Sequence, residues 1–119
     1  MEIQDKYQVN AAFAACVTIA ESSGGTGWAA IAPYTYNWFS IKGSYHGKSY
    51  VSPSANKGPW RWYPSFAAAV DDFGDLIANG SYYYKQGKYT VNQIGPTYCN
   101  EKWSETVNKL MRTAYEKVI

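Results

Sequence analysis

One glutamate continues the apolar stripe of a predicted helix. Glu21 lies four residues after Val17 and eight after Phe13, so on a helix the three side chains share one face. Burial and the negative end of the helix dipole would both disfavour the charged form and raise the pKa of Glu21. A carboxyl group that stays protonated near neutral pH can act as a general acid, for example towards a glycosidic oxygen. The alternative is a glutamate exposed on a frayed last turn.

The segment that carries Glu21 predicts a long helix. From Asp5 to Ser22 the chain has neither glycine nor proline, and Ala11–Ala20 is apolar except for one threonine, which indicates a helix buried on nearly every side. The serines and glycines of 22–25 end it. After a linking stretch, residues 37–62 are rich in glycine, serine, proline and tyrosine and include a short β-type piece, Lys48–Val51. We expect a small β-hairpin lobe there.

Two more helices are predicted in the second half of the chain. Ser65 is the expected N-cap of one that ends at Asn79-Gly80, and the last runs from Trp103 to Val118. In the first of these, we expect the apolar side chains to lie in the core, namely Phe66, Val70, Phe73 and Ile77. The aspartates on the opposite face should lie in solvent, namely Asp71, Asp72 and Asp75. In the last helix, the expected core residues are Trp103, Val107, Leu110, Met111 and Ala114. A short turn or helix is expected near Val91–Ile94. The architecture is therefore mostly α (α+β), in one domain spanning residues 1–119.

Composition limits the partners of this domain. With 119 residues, 46% of them hydrophobic, the chain can bury one core without a metal, and we expect no cofactor and a monomer. A net charge of +2 argues against nucleic acid as the partner. The longest apolar run, Ala11–Ala20, is too short to span a membrane, and no signal-peptide pattern begins the sequence. We expect a soluble, unexported chain or a domain cut from a longer protein. Cys16 and Cys99 either pair or remain free.

Several ordered motifs resemble one enzyme family. Ala20-Glu21-Ser22-Ser23-Gly24-Gly25-Thr26 is similar to the Glu-Ser-Gly-x-Gly signature of the glycoside hydrolase family 73 glucosaminidases. The stretches that follow in the family's order are Asn37-Trp38-Phe39-Ser40-Ile41-Lys42-Gly43, in which Ser40 replaces a glycine, then Trp60-Arg61-Trp62-Tyr63, then Ser65, Asp72 and Leu76, and finally Tyr98 before the last helix. The tyrosine element departs from the family at Cys99, Asn100 and Glu101.

The resemblance implies a lysozyme-like α fold with a small β lobe that hydrolyses the β-1,4 bond on the reducing side of N-acetylglucosamine in bacterial peptidoglycan. It assigns catalysis to Glu21 and Tyr98. Aromatic planes and basic groups suit a glycan groove, and the expected substrate-binding residues are Asn37, Trp38, Phe39, Lys42, Trp60, Arg61 and Tyr63. The enzyme would act on the cell wall, as a phage lysin or as an excised domain of an exported autolysin.

The expected site lacks an obvious second carboxylate. Nothing between Ser22 and Val70 is acidic, although glycosidases usually place a partner about 5 Å or about 6.5–9.5 Å from the acid. Glu101, three residues after Tyr98, is a possible base. The simpler hypothesis is that the substrate's 2-acetamido oxygen attacks the anomeric carbon, with Tyr98 orienting that group.

Two other functions remain open at this point. A muramidase or lytic transglycosylase of the same fold would also use one glutamate at a helix end. A glycan-binding module that has lost its enzyme activity would fit the abundant tyrosine and the missing base.

Overall fold

The computed structural model describes residues 2–23, 35–51, 58–111 and 118. The helices and strands of these ranges are α1 (Glu2–Tyr7), α2 (Ala11–Ser23), β1 (Ser49–Tyr50), β2 (Trp60–Arg61), α3 (Phe66–Asn79), a 3-10 helix (Tyr84–Gln86), α4 (Val91–Tyr98) and α5 (Glu101–Met111). The described part of the chain is thus mostly helical with a two-stranded antiparallel sheet, which confirms the predicted fold class. None of the described helices is long and apolar enough to cross a membrane.

The first predicted helix is in fact two helices. Gln8 has a left-handed backbone with φ 56°, and the Asn10 side chain accepts hydrogen bonds from the backbone N–H groups of Ala12 and Phe13 at 2.8 and 3.3 Å. Asparagine is a strong N-cap, so the chain stops and restarts here instead of running on. The prediction that this helix is buried on nearly every side was also wrong, since Ile19 of α2 is 48% exposed. The face that includes Phe13 is buried.

The predicted β lobe is present between α2 and α3. In its antiparallel hairpin, Ser49 pairs with Arg61 and Tyr50 pairs with Trp60, so β1 lies within the predicted β segment. The backbone N–H of Arg61 donates to the carbonyl of Ile41 at 3.0 Å. This bond fastens the hairpin to residues 37–42, the segment that also approaches Glu21.

Helix α3 begins and ends where the sequence predicts. The Ser65 side chain caps it by accepting from the N–H of Ala68 at 3.1 Å, and the helix closes at Asn79. Two side-chain predictions were wrong. Phe66 is 47% exposed: it lies in the first turn and makes a T-shaped contact with Trp38, with ring centroids 5.9 Å apart. Asp72 does not face solvent: its side chain is 13% exposed and is held by Arg61 and Tyr63.

The C-terminal region contains a helical hairpin. The predicted turn near Val91 is a helix of eight residues, α4, with a capping box formed by Thr90 and Gln93. Helix α5 begins two residues earlier than predicted, because the Asn100 side chain accepts from the N–H of Trp103 at 2.9 Å. Trp103 and Val107 are buried, but Leu110 is 37% exposed, so its predicted core position was wrong. The predicted continuation through Ala114 falls on residues 112–117, outside the described ranges.

An aromatic cluster forms the centre of the core. The Phe39 ring stacks on Phe73, with centroids 4.2 Å apart and an interplanar angle of 9°. Phe13 lies 5.9 Å from Phe73 and meets Trp103 edge-on at 6.3 Å. Since these rings come from α2, the loop before β1, α3 and α5, the cluster joins every part of the fold that approaches Glu21.

The two aspartates at the middle of α3 provide a matched test of the packing. Asp72→Ala is expected to lower the free energy of unfolding by about 2–3 kcal/mol, because it leaves the half-buried Arg61 and the buried Tyr63 without their shared acceptor. In the ion pair between Asp71 and Lys6 the side chains are 48% and 60% exposed, so Asp71→Ala should cost less than about 1 kcal/mol. Urea unfolding measures both losses, and equal losses would contradict this assignment.

Candidate active site

Glu21 lies at the C-terminal end of α2 and is half-buried. The indole Nε1–H of Trp103 donates a hydrogen bond to Glu21 Oε1 at 3.0 Å. An indole N–H is a donor only, and a buried indole needs an acceptor, so this bond satisfies Trp103 and fixes one oxygen of the carboxyl group. The alternative, a glutamate exposed on a frayed last turn, is thereby excluded.

The surroundings of Glu21 favour its protonated form. Burial raises the pKa of Glu21 above its ordinary value of 4.5, and the hydrogen bond from Trp103, followed by the nearby Ser40 hydroxyl, opposes that rise without cancelling it. The desolvation of a carboxylate near apolar rings dominates because the two neighbouring donors are both uncharged. Glu21 therefore has the property that a general acid requires.

Stacked rings hold Trp103 in place. Its indole stacks on Tyr98 with centroids 4.9 Å apart and an interplanar angle of 25°, while Phe13 meets it edge-on. Aromatic pairs of this kind contribute about 0.5–1.5 kcal/mol each beyond burial. These two ring contacts help to fix the direction of the indole N–H that points to Glu21.

Tyr98 lies beside Glu21 as a neutral phenol. Its hydroxyl donates to the backbone carbonyl of Phe39 at 2.6 Å. Burial raises the pKa of Tyr98 well above 10, and the negative charge of Glu21 raises it further. Because its one proton is used in the bond to Phe39, the phenol oxygen keeps its lone pairs for accepting a hydrogen bond. Tyr98 can therefore receive an N–H group of a ligand.

The loop between α2 and β1 is anchored by Asn37, which is fully buried. The Asn37 amide nitrogen donates to the carbonyls of Ile41 and Arg61 at 2.8 and 3.1 Å, and its oxygen accepts from the N–H of Ile41 at 3.0 Å. All three bonds are made to backbone. Asn37 therefore shapes the loop that brings Phe39 and Ser40 to Glu21.

The remaining residues predicted to bind substrate differ in exposure. Phe39, Trp60 and Tyr63 are buried in this structure, whereas Trp38 and Arg61 are half-buried and Lys42 is exposed. Direct contact with substrate stays a prediction for all of these positions. Phe39 and Tyr63 have ring partners in Phe73 and Tyr45, so these two side chains contribute to the packing around the site.

Arg61 belongs to a polar network. Its Nη1 donates to Asp72 Oδ2 at 2.7 Å, its Nε donates to the carbonyl of Lys42 at 3.2 Å, and the Tyr63 hydroxyl donates to the same Asp72 oxygen at 2.5 Å. Burial and the bond to Asp72 both raise the pKa of Tyr63. The network fixes the base of the β lobe and engages the Nε and Nη1 atoms of Arg61.

Two lysines of the β lobe lie over tryptophan rings. The Lys48 ammonium is 4.9 Å from the centroid of Trp62, and the Lys42 ammonium is 5.7 Å from that of Trp60. These distances are typical of cation–π contacts, which orient the lysine stems along the rings. The lobe thus presents positive charge and aromatic surface together.

The other carboxylates of the described residues are engaged elsewhere or exposed. Asp71 and Asp72 form ion pairs with Lys6 and Arg61. The exposed acids are Glu2, Asp5, Asp75, Glu101 and Glu105. None of them is among the groups that act on the pKa of Glu21. Only Glu116 lies outside the described ranges.

Glu101, predicted as a possible base, occupies the first turn of α5. It lines a surface cavity of about 300 Å³ together with Asn92, Pro96, Ser104 and Glu105. Glu21 is not among the described residues that line this cavity. A role for Glu101 as a base stays a prediction. Neither cysteine forms a disulfide: Cys16 is buried and Cys99 is exposed, both as free thiols.

Sequence reasoning missed the contact between Trp103 and Glu21. It placed Trp103 on the core face of the last helix, which is correct, but it did not ask where the indole N–H would find an acceptor. Glu21 is the one acid on the apolar stripe of α2. A buried indole N–H needs an acceptor, so the sequence could have predicted that Trp103 bonds to Glu21.

A desolvated carboxylic acid among aromatic rings is the arrangement that a glycoside hydrolase uses to protonate a leaving group. The family model of the glucosaminidases, described as mannosyl-glycoprotein endo-beta-N-acetylglucosaminidase, matches residues 1–116. The chain belongs to this family, which confirms the resemblance that its motifs indicated. It is a glycoside hydrolase that acts on cell-wall peptidoglycan. Comparisons with curated proteins and with solved structures give no match.

The raised pKa of Glu21 predicts a pH-dependent stability. In the folded state this pKa exceeds its ordinary value of 4.5, so the stability it contributes is complete below about pH 4.5 and is lost as the pH rises through the folded value. Glu21→Gln retains an acceptor for Trp103 and cannot ionise. Its free energy of unfolding should therefore exceed that of the wild type at pH 8, with the difference shrinking towards pH 4.

Urea unfolding at several pH values measures this difference. Glu105→Gln is the control, because Glu105 is exposed on α5 and its substitution should give a small difference at every pH. A gain for Glu21→Gln that did not vary with pH would contradict the assignment.

Proposed function

We propose that this chain is an endo-β-N-acetylglucosaminidase that cleaves the β-1,4 bond between N-acetylglucosamine and N-acetylmuramic acid, with Glu21 as general acid. The observation that carries the proposal is the state of Glu21: it is half-buried, it accepts the indole N–H of Trp103 at 3.0 Å, and burial raises its pKa. Membership of the glucosaminidase family supports the choice of bond.

In the first step, the Glu21 carboxyl gives its proton to the glycosidic oxygen while the bond from that oxygen to the anomeric carbon breaks. The leaving sugar departs with a neutral hydroxyl, and Glu21 becomes a carboxylate. The Trp103 N–H stabilises the new negative charge, because a hydrogen bond to an ionised acceptor is about twice as strong as one to a neutral acceptor.

The attacking group in this proposal comes from the substrate. The 2-acetamido oxygen bonds to the anomeric carbon as the leaving group departs, and a water molecule then opens the ring so formed while the Glu21 carboxylate takes its proton. The distribution of acids supports this route, because no other described carboxylate acts on the pKa of Glu21.

Tyr98 is the residue that we assign to orient the acetamido group. Its hydroxyl proton is directed to the carbonyl of Phe39, so its oxygen can accept the acetamido N–H. Accepting that hydrogen bond would turn the acetamido oxygen towards the anomeric carbon and increase its electron density. Tyr98 also supports the indole of Trp103, and the two parts of the site are therefore coupled.

The β lobe is the surface that we assign to the glycan strand. Sugar rings pack their flat apolar faces on aromatic rings, and the carboxylates of lactyl groups and stem peptides are attracted to ammonium groups. Trp38, half-buried, and Lys42, exposed, have the accessible side chains for these contacts. Trp62 with Lys48 above it provides a further aromatic and basic pair.

A lytic transglycosylase or muramidase is the second candidate, because a site with one acid serves those reactions too. The reducing ends of digested peptidoglycan distinguish the three. A glucosaminidase leaves N-acetylglucosamine at the new reducing end, a muramidase leaves N-acetylmuramic acid, and a transglycosylase leaves its anhydro form.

Glu21→Gln tests the general acid. We expect kcat on purified peptidoglycan to fall by about 10³-fold or more, since the leaving oxygen loses its proton donor. The shape of Gln matches that of Glu and its oxygen still accepts the Trp103 N–H, so binding to the wall should persist. Mass spectrometry of fragments gives both the rate and the new reducing end.

Glu105→Gln is the matched control for this measurement and should retain wild-type turnover. Substantial activity in the Glu21→Gln variant would refute the role of Glu21. If the wild-type fragments ended in N-acetylmuramic acid, the role of Glu21 would stand but the cleaved bond would differ from the one that we propose.

Tyr98→Phe tests the orienting role. The substitution keeps the ring that stacks on Trp103 and removes the hydroxyl, so kcat should fall by roughly 10–100-fold while the fold persists. Tyr84→Phe is the control, because its hydroxyl makes the same kind of bond, to the carbonyl of Gln8 at 2.9 Å, elsewhere in the molecule. Wild-type turnover in Tyr98→Phe would remove Tyr98 from the mechanism.

A further inference from the structure

Ser40 has a backbone conformation that suits glycine. Its φ is 55°, in the left-handed region where a Cβ atom crowds the neighbouring carbonyl. Serine at such a position lowers the stability of the fold relative to glycine, which adopts this φ freely. A favourable contact of the side chain would offset this cost.

The Ser40 hydroxyl adds a second cost. Its oxygen is buried and makes no hydrogen bond of ordinary geometry within the described residues. Burying a hydroxyl without a partner is unfavourable, and nearly all buried polar atoms in folded proteins have one. Both penalties would disappear if this residue were glycine.

The hydroxyl lies next to the carboxyl group of Glu21. Although the contact falls outside ordinary hydrogen-bond geometry, it favours the charged form and lowers the pKa of Glu21 in opposition to burial. Trp103 already donates to one carboxyl oxygen, Oε1. A protonated carboxyl has less capacity to accept a second donor than a carboxylate, which offers about four lone-pair sites.

We propose that Ser40 is a positioning residue for the acid, whose hydroxyl donates to the Glu21 carboxylate that forms when the proton passes to the leaving oxygen. This inference rests on the proposed role of Glu21. No covalent bond to Ser40 forms or breaks: its O–H group turns about the Cβ–Oγ bond onto the new charge. A donor that waits without a partner is available at the moment the charge develops, and its bond then favours the transition state over the ground state.

The residues on either side of Ser40 fix the position of its hydroxyl. Asn37 fixes the backbone at Ile41, and Phe39 is held both by its stack on Phe73 and by the hydroxyl of Tyr98. Ser40 lies between these two anchors, so its Cα cannot move far from α2. The same anchors maintain the left-handed φ against its tendency to relax.

Ser40→Ala removes the hydroxyl and keeps the Cβ atom. We expect kcat on peptidoglycan to fall about tenfold with little change in KM, as for the loss of one hydrogen bond to a charged group. In a plot of kcat against pH, the fall in activity on the basic side should move to higher pH. The reason is that the Glu21 carboxylate loses a donor, so the pKa of Glu21 rises. A residue that merely shaped the loop would leave that fall unmoved.

Ser40→Gly separates the hydroxyl from the backbone. It should lose activity to the same extent as Ser40→Ala, while its Tm rises by about 3–5 °C because the left-handed φ no longer carries a side chain. A variant that is more stable and less active shows that the loss does not come from damage to the fold.

A readout without turnover completes the test. In the wild-type background, Ser40→Ala should lower the free energy of unfolding more at pH 8 than at pH 4, since only the carboxylate form of Glu21 uses the hydroxyl. In the Glu21→Gln background, the effect of Ser40→Ala should be the same at both pH values.

The inference is overturned if Ser40→Ala keeps the wild-type kcat and the wild-type fall in activity on the basic side, or if its effect on stability does not vary with pH. These results would leave the proposed function standing. Full activity of Glu21→Gln would instead remove the proposed function, and the stability measurements would still decide whether Ser40 contacts the Glu21 carboxylate.

Discussion

The hydrogen bond between Trp103 and Glu21 is the contact on which the site depends. It joins residues 82 positions apart in the chain and connects the end of α2 to the start of α5. Without it, the buried indole N–H would lose its acceptor and the half-buried carboxyl group would lose its donor, and each loss is unfavourable. The contacts that position Trp103 are therefore also contacts that position the acid.

Burial raises the pKa of Glu21, but in the proposed mechanism burial alone would leave the carboxylate unstable after proton transfer. Uncharged donors resolve this conflict, because they stabilise the carboxylate less than a cation would and so leave the pKa raised. Asp72 has different partners. There an arginine and a tyrosine converge on one oxygen, and that carboxylate serves to hold the β lobe.

Sequence reasoning placed Glu21 on the buried face of a helix because helical spacing is regular. Glu21 follows Phe13 and Val17 on one face. The Ser65 cap and the apolar stripe of α3 could be predicted from the sequence in the same way. Ordered motifs identified the family, which the match over residues 1–116 confirms. The hairpin also fell where glycine and tyrosine predicted it.

What the sequence did not reveal depends on tertiary contacts. Asn10 interrupts an apolar helix by capping, which spacing of apolar residues does not detect. The solvent face assigned to Asp72 was wrong because Arg61 approaches from a strand eleven residues away. Trp103 finds its acceptor on another helix, and the strain at Ser40 exists only as a backbone angle.

The most direct test is a pH titration of the Glu21 side-chain carboxyl by ¹³C NMR in the free protein, with the indole ¹⁵N–¹H resonance of Trp103 followed in the same samples and assigned by Trp103→Phe. A buried acid predicts a midpoint above 4.5 for Glu21 and the same midpoint in the Trp103 resonance. A midpoint at or below 4.5, or a Trp103 resonance that does not titrate, would contradict a Glu21 that is held protonated to act as the acid.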